Sequence, residues 1–393
     1  MPWCLFAWAL TSAWLGLLVP LAAARPPQQP APKGKLPRPR RLDRDLKLGR
    51  DSATGELRGP SPPDVPAPGT IRAQVRLVEV ACNAFAAGGA PLRGLAREDF
   101  RLFEGGVEQA IAHWDASGRP ASIALVFDAS PSVFRELAEM KAAARTLAKH
   151  LAADDEVAVV AFAGETQLLL PFSRDRALLE RAIASPALSQ VADSKESNIY
   201  RAVYLAARAL FGDPPRPGRK AMVLLTDGQD SGLGLRWDPA SMLPQPAETS
   251  ARLTFEDVSR ALAAAGVELY AVSTQPRPRA MTEAWLAARR SEMLVTPEAR
   301  ELGMPHYTLY LAELVRRAGG KLFFLREAGT LGEVYRSIAE NLGAQYTLGY
   351  YPRAGLFRPG WRSLRVELRP EAPGAAGVRL AYRVSYYVPA AEH

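Results

Sequence analysis

Side chains that carry oxygen follow two apolar runs of the sequence. Asp128, Ser130 and Ser132 come directly after the run SIALVF in a D-x-S-x-S pattern, and Asp227 comes directly after the run KAMVLLT. Ser197 stands just before a predicted helix between the two runs. Carboxylates and hydroxyls are hard oxygen donors, which Mg²⁺ prefers. These residue types therefore predict a divalent-cation site with five candidate ligands: Asp128, Ser130, Ser132, Ser197 and Asp227.

Such a site would have room for a ligand from another molecule. If the hydroxyls bind the ion directly and one carboxylate binds it through water, the ion stays electrophilic, and an acidic side chain of a partner could complete its coordination shell. The alternative interpretation gives the residues of the D-x-S-x-S motif a structural role. Because Asp and Ser favour helix N-caps, Asp128, Ser130 and Ser132 could instead cap the helix that follows them.

The hydrophobic pattern around these residues predicts strands that alternate with helices. Apolar runs of strand length occupy 122–127, 156–163, 166–170, 220–226, 267–272 and 321–325. Apolar residues recur at helical spacing over 134–151, 200–210, 255–266, 310–320 and 331–342. This alternation predicts an α/β fold with a doubly wound, mostly parallel sheet, in which 166–170 is an antiparallel edge strand. Ligands of such sheets bind outside the carboxyl ends of the strands, where the candidate residues lie.

Small antiparallel β elements are predicted on both sides of this sheet. Two glycines at 105–106 separate short apolar runs and predict a hairpin turn, so residues 71–118 form an N-terminal β unit. Aromatic and β-branched side chains predict a C-terminal β extension over 344–393, which leaves 119–343 for the α/β domain. The long stretches 231–253 and 275–308 interrupt the alternation on the ligand side, either as part of a binding surface or as tolerated insertions.

The first 70 residues predict export and a spacer. Residues 1–24 are apolar, carry no charged side chain and end in three alanines, which predicts a cleaved signal peptide. An uncleaved membrane anchor is the alternative, since about 20 apolar residues can span a bilayer. Residues 25–70 contain eleven prolines and predict a disordered Pro-rich, basic linker. We therefore expect a secreted or periplasmic chain that is membrane-bound only if 1–24 stays attached.

Charge and motifs exclude several functional classes. The net charge of +8 is concentrated in residues 25–60, which hold ten basic and four acidic side chains, so we expect no nucleic-acid partner. The sequence contains no G-x-S-x-G elbow, no Walker loop and no H-E-x-x-H motif. We therefore expect that the protein is not an enzyme. Cys4 would leave with the signal peptide, and Cys82 would then have no intrachain disulfide partner.

The motifs DASPS and LLTDGQD, placed on this pattern of strands and helices, resemble the von Willebrand factor A (VWA) domain. The resemblance implies a Rossmann-like fold over 119–343. The metal-ion-dependent adhesion site (MIDAS) of that family uses a D-x-S-x-S motif, a loop Thr and a later Asp. Matched residue by residue, Asp128, Ser130 and Ser132 correspond to the first motif and Asp227 to the last Asp, and Ser197 falls at the position of the loop Thr.

The chain departs from the family pattern beside these residues. Relatives of the type GGTALYDAIYLA have two glycines where this chain has Lys195 and Glu196, and Pro131 replaces the usual Gly. Ser197 keeps a hydroxyl, so the ligand chemistry is retained. The flanking segments, including DFRLFEGGVEQ and YTLGYYP, resemble the secreted VWFA-related family that is common in acidobacteria, and this likeness covers about 71–388.

The resemblance implies an extracytoplasmic, adhesion-type module for metal-dependent protein–protein interaction. Mg²⁺ is the expected cation, with Mn²⁺ and Ca²⁺ as alternatives, and an unidentified protein partner would offer it an acidic side chain. Two other functions stay open from the residues alone. One is a metal-free structural or interaction domain, and the other is a hydrolase that uses the same Asp/Ser cluster.

Overall fold

The computed structural model of the protein describes residues 36–42, 49–50, 57–58, 77–86, 90–116, 118–190, 197–212, 218–230, 235–237, 244–246, 253–289, 293–325, 331–352 and 360–388. The predicted signal peptide 1–24 lies outside these residues, as do Lys195, Glu196 and most of the stretch 231–253. No helix within the described stretches has the length and apolar character needed to span a bilayer.

The secondary structure consists of short and medium-length elements. The strands are β1 Arg40–Arg41, β2 Gly49–Arg50, β3 Leu57–Arg58, β4 Val78–Phe85, β5 Phe100–Glu104, β6 Val107–Gln109, β7 His113–Asp115, β8 Ala121–Asp128, β9 Glu156–Phe162, β10 Thr166–Ser173, β11 Arg219–Thr226, β12 Leu235–Trp237, β13 Pro244–Pro246, β14 Glu268–Ser273, β15 Leu322–Phe324, β16 Tyr346–Tyr350, β17 Gly360–Leu368, β18 Arg379–Tyr382 and β19 Ser385–Val388. The helices are α1 Leu137–His150, α2 Arg176–Ala184, α3 Ala187–Gln190, α4 Ile199–Phe211, α5 Phe255–Ala265, α6 Glu283–Ala288, α7 Pro297–Glu301, α8 His306–Ala318 and α9 Leu331–Gly343.

A seven-stranded sheet forms the centre of the α/β domain. Its strand order is β1-β10-β9-β8-β11-β14-β15. The five neighbouring strands β9, β8, β11, β14 and β15 run parallel to one another. Helices cover both faces: α4, α5 and α8 pack on one face with Ala124 and Val126, and α1, α2 and α9 pack on the other with Leu125 and Phe127. This arrangement confirms the predicted α/β fold with a doubly wound, mostly parallel sheet.

One edge of the sheet comes from the segment predicted as a linker. Arg40 and Arg41 pair antiparallel with β10, and Leu42 is buried. β10 itself is antiparallel to β9, as predicted, but the prediction that it forms the edge was wrong because β1 covers it. A two-residue strand is too short to show a hydrophobic pattern in the sequence. It is held in the sheet by backbone hydrogen bonds. Arg40 and Arg41 of the predicted linker are thus part of the sheet, and Leu42 packs in the core beside it.

The predicted N- and C-terminal β elements combine into one unit. In one four-stranded sheet β4 lies between β16 and β18, and in a second four-stranded sheet β17 lies between β5 and β19. The two sheets share a core that includes Val80 and Leu102 from the N-terminal strands and Leu348 and Val366 from the C-terminal strands. The turn at Gly105–Gly106 joins β5 to β6, which confirms the predicted hairpin.

The chain passes very close to β14 at Gly320, just after the end of α8, and a substitution at this glycine can test the contact. A Cβ atom at Gly320 would lie 1.9 Å from the backbone oxygen of Leu269. We predict that Gly320→Ala lowers the free energy of unfolding by about 1–3 kcal/mol or more, because backbone must move to accept the methyl group. Urea unfolding measures this change.

Gly343→Ala is the matched control for this substitution. Gly343 ends α9, and a Cβ atom there would meet only the Arg93 side chain, at 3.7 Å. We expect its free energy of unfolding to change by less than about 1 kcal/mol. Equal losses in the two alanine variants would contradict the close approach of Gly320 to β14.

Candidate functional site

Parallel pairing brings the two predicted motifs to one edge of the central sheet. β8 and β11 are neighbours, and Phe127 is in register with Leu225. The next residues, Asp128 and Thr226, therefore end their strands side by side. Ser197 reaches the same edge from the loop before α4, where the Asn198 side chain donates a hydrogen bond to Gly164 O (2.9 Å).

Asp128 is the centre of this cluster. Its Oδ2 atom accepts hydrogen bonds from Thr226 Oγ1 (2.7 Å) and Ser197 Oγ (3.3 Å), and its Oδ1 atom accepts one from the Ser130 amide (3.0 Å). The side chain is fully buried. Burial raises the pKa of Asp128, the hydrogen bonds from Ser130 and Thr226 lower it, and the nearby charge of Asp227 raises it. The carboxylate is thus held by donors, and none of the described residues places a full positive charge beside it.

The two serines of the D-x-S-x-S motif lie together. Their Oγ atoms are 3.0 Å apart and share a hydrogen bond. Ser130 is buried, whereas Ser132 is exposed, so the cluster opens to solvent on the side of Ser132. Ser130 makes no capping hydrogen bond to the 3₁₀ turn that follows, and the N-cap of α1 is Glu136. The interpretation of this motif as a helix cap was therefore wrong.

Asp227 belongs to the same neighbourhood. It is 2% exposed, its Oδ1 atom accepts a hydrogen bond from the Gln229 amide (2.9 Å), and its charge acts on the pKa of Asp128. Gly228 follows with a φ of 82°, in the left-handed region, and its amide donates to Thr226 Oγ1 (3.0 Å). This turn keeps the carboxylate of Asp227 at the strand edge beside Asp128.

The structure thus places all five predicted site residues at one edge of the sheet. Hydrogen bonds join Asp128 to Ser130 and Ser197 and join Ser130 to Ser132, and Asp227 contributes its charge. The sequence analysis missed Thr226, whose hydroxyl connects Asp128 to the Gly228 turn. The signal was present in the motif LLTDGQD, in which a hydroxyl residue directly precedes Asp227.

The donor set fits a small divalent cation. Neither Asp128 nor Asp227 forms an ion pair with a basic residue in the described part of the chain. Two buried carboxylates need compensating charge, and neutral hydroxyl donors do not supply it. No group of three or more His, Cys, Asp or Glu side chains placed to hold a metal ion occurs among the residues described. The oxygen donors of this cluster are two carboxylates and the hydroxyls of serine residues. This composition suits a hard cation such as Mg²⁺.

Comparison with known protein families decides the domain type. Residues 123–229 match the family model described as the von Willebrand factor type A domain. The chain contains a VWA domain. The D-x-S-x-S motif and Asp227 both lie within the matched residues. A search of the curated proteins returns no match.

Several solved structures are similar to the chain at low identity. An aerotolerance-related membrane protein from Bacteroides fragilis is 16% identical over 56% of this chain and 98% of its own, with a TM-score of 0.37. A von Willebrand factor type A protein from Catenulispora acidiphila is 13% identical over 81% of this chain and 74% of its own (TM-score 0.37). Proximal thread matrix protein 1 from the mussel byssus, with a zinc-occupied MIDAS motif, is 18% identical over 60% of this chain and 48% of its own (TM-score 0.36).

In the VWA domain the Thr226 hydroxyl connects Asp128 to the Gly228 amide, and measurements of the free energy of unfolding can test this role. Thr226→Val removes the donor to Asp128 and the acceptor for the Gly228 amide while it keeps the side-chain shape. We predict a loss of about 1–3 kcal/mol in the free energy of unfolding, because buried polar groups lose their partners. Urea unfolding in the presence of a chelator measures this loss without a contribution from bound metal.

Thr226→Ser is the control because it keeps the hydroxyl and removes only a methyl group. We expect it to cost about 1 kcal/mol or less. If the serine variant were destabilised as much as the valine variant, the methyl group and not the hydroxyl would account for the stability.

Proposed function

We propose that the VWA domain binds a divalent cation at Asp128, Ser130, Ser132, Ser197 and Asp227 and uses it to bind an acidic side chain of a partner protein. The observation that carries the proposal is the convergence of two buried carboxylates with hydroxyl groups and without a neighbouring cation in the described residues. Mg²⁺ is the proposed ion because it prefers hard oxygen ligands, and Mn²⁺ or Ca²⁺ could take its place.

The residues of the site would have different roles in binding the cation. The buried carboxylates supply charge, and the hydrogen bonds from Thr226 and from the Ser130 amide keep Asp128 oriented towards the strand edge. Serine hydroxyls bind a cation without neutralising it, so an ion held mainly by Ser130 and Ser132 keeps its attraction for an external carboxylate. The exposed position of Ser132 marks the side from which that carboxylate would approach.

We propose binding and not catalysis for this cluster. The hydroxyl of Ser132 contacts Ser130, and no imidazole is hydrogen-bonded to either serine in the part of the chain that the structure describes. A nucleophilic serine needs a base within hydrogen-bond reach. The apolar segment 1–24 and the likeness to secreted VWFA-related proteins support a place of action outside the cytoplasm, secreted or periplasmic.

Calorimetric titration tests the cation site directly. We predict that the chain binds Mg²⁺, or Mn²⁺ in its place, with one saturable site, and that Asp227→Asn weakens this binding by at least about tenfold, which is about 1.4 kcal/mol. The reason is that the substitution removes one of the two buried negative charges. Thermal unfolding in the presence of chelator shows whether the variant is folded.

Asp154→Asn is the matched control, since Asp154 is an exposed carboxylate in the turn before β9, away from the site. It should bind the metal as the unmodified chain does. Absence of binding for Mg²⁺, Mn²⁺ and Ca²⁺ would support the metal-free structural domain instead. An equal effect of both substitutions would show that the metal binds elsewhere.

A further inference from the structure

A cavity lies at the edge of the central sheet where β11 and β14 begin, opposite the edge that holds Asp128. Its volume is about 450 Å³, and its floor is formed by the first residues of β11 and β14. The ends of α5 and α8 and strands β4 and β19 of the β unit form its walls. β11 has eight residues, so about 23 Å separate the cavity from the strand end beside Asp128. The cavity is therefore a separate place in the fold.

Basic side chains outnumber acidic ones in the lining of this cavity, five against Glu79 and Glu268, and three of the five lie beyond ion-pair distance of any carboxylate in the described part of the chain. Arg219 and Lys220 begin β11, and Arg383 comes from the loop between β18 and β19. None of the three forms an ion pair with any residue in the described stretches. Burial is the main cause that lowers the pKa of each. Their positive charge is thus partly desolvated, which is costly in a folded protein, and the carboxylates of Asp155, Glu268 and Glu79 act on it only from beyond ion-pair distance.

Buried polar atoms in the same cavity lack hydrogen-bond partners. They are Arg219 Nη1, Arg383 Nε and Glu268 Oε1. Arg219 is 9% exposed and Glu268 is 5% exposed, so bulk water does not readily solvate them. Burial raises the pKa of Glu268 to about 7, and its other oxygen accepts a hydrogen bond from Tyr270 (3.0 Å). Glu268 is therefore only partly ionised at neutral pH, and its protonated form could donate a hydrogen bond to a ligand oxygen.

The remaining charged residues of the cavity are already paired with one another or with nearby acids. Arg119 lies 3.4 Å from Glu79 and also pairs with Asp115, and Arg317 lies 2.7 Å from Glu313. The excess positive charge therefore comes from Arg219, Lys220 and Arg383. A single bound oxyanion would supply both the missing charge and the missing acceptors.

Apolar side chains line part of the cavity, beside the polar side chains of Gln345 and Thr347. Leu262 and Val267 come from the end of α5 and the start of β14, and Leu77 and Val388 come from the β unit. A cavity of this size that combines an apolar wall with a few convergent polar groups is typical of sites for small organic molecules. Inorganic anions alone would leave this wall without contacts.

The end of α5 offers a competing explanation for part of the charge. Arg383 Nη1 donates to Ala263 O (3.3 Å), and the Lys220 Nζ atom lies beside Gly266, where α5 ends. Cations near a helix C-terminus are favoured by its partial negative charge, which is about half a unit. That partial charge does not balance two full charges, and Arg219 donates instead to the backbone oxygen of Arg119.

We propose that this cavity binds a small organic anion whose carboxylate or phosphoryl oxygens contact Arg219, Lys220 and Arg383 and whose apolar body packs on the half-buried side chains of Leu77 and Val388. The ligand bridges the α/β domain and the β unit, because both line the cavity. Its binding is independent of the cation site, which lies at the other end of β11.

Titration of the full chain with benzoate and phenyl phosphate tests this proposal. Inorganic phosphate is the third probe, and it lacks an apolar body. We expect saturable binding of one or both organic probes, at least about tenfold tighter than that of inorganic phosphate, with a rise in the thermal unfolding temperature. The stronger of the two organic probes identifies the anionic group as a carboxylate or a phosphate.

Variants separate the anion site from a structural role. Lys220→Gln should weaken binding of the organic probe by at least about tenfold, whereas Lys149→Gln, an exposed lysine in α1, and Asp227→Asn should leave it unchanged. The proposal is overturned if none of the probes binds saturably. It is also overturned if Lys220→Gln lowers the unfolding temperature but binds the probe as the unmodified chain does, since Lys220 would then only stabilise the end of α5.

Discussion

Two carboxylates are buried together at the carboxyl edge of the central sheet, with no cation beside them among the described residues. Asp128 and Asp227 are at most 2% exposed, and the groups that contact them are hydroxyls, amides and the Gln229 side chain. Such donors stabilise one negative charge, but they do not cancel the repulsion between two. The raised pKa of Asp128 reflects this burial. A divalent cation at the strand edge would remove both the desolvation cost and the repulsion.

The same strand, β11, has buried or half-buried charged residues at both of its ends. Its amino end holds Arg219 and Lys220 in the cavity between the α/β domain and the β unit, and its carboxyl end leads into Asp227. The residues between them, Ala221 to Leu225, are fully buried, so the two charged regions are separated by apolar packing. The proposed cation and the proposed organic anion would each compensate the charge at one end of this strand.

Much of the fold and most of the site could be predicted from local sequence patterns. Helix and strand periodicity located the parallel strands β8, β9, β11 and β14, because each is a continuous apolar run buried on both faces. The rule that ligands bind at the carboxyl ends of such strands then brought Asp128 and Asp227 together. The Ser130 and Ser132 positions followed from the spacing of the D-x-S-x-S motif.

The features that could not be predicted depend on contacts between distant residues. The pairing of β1 with β10 uses backbone groups of Arg40 and Arg41, which no side-chain pattern marks. The pairing of β4 with β16 joins residues more than 250 positions apart and merges two predicted β elements. The hydrogen bond from Thr226 to Asp128 depends on the register of two strands. These contacts are set by tertiary packing.

Anomalous X-ray diffraction from crystals of the chain soaked in Mn²⁺ tests the central claim most directly. We predict an anomalous peak between the Asp128 and Asp227 side chains, within bonding distance of the hydroxyls of Ser130 and Ser132, and loss of this peak in Asp227→Asn crystals. A well-ordered site in which no peak appears, or peaks confined to exposed carboxylates elsewhere, would contradict it.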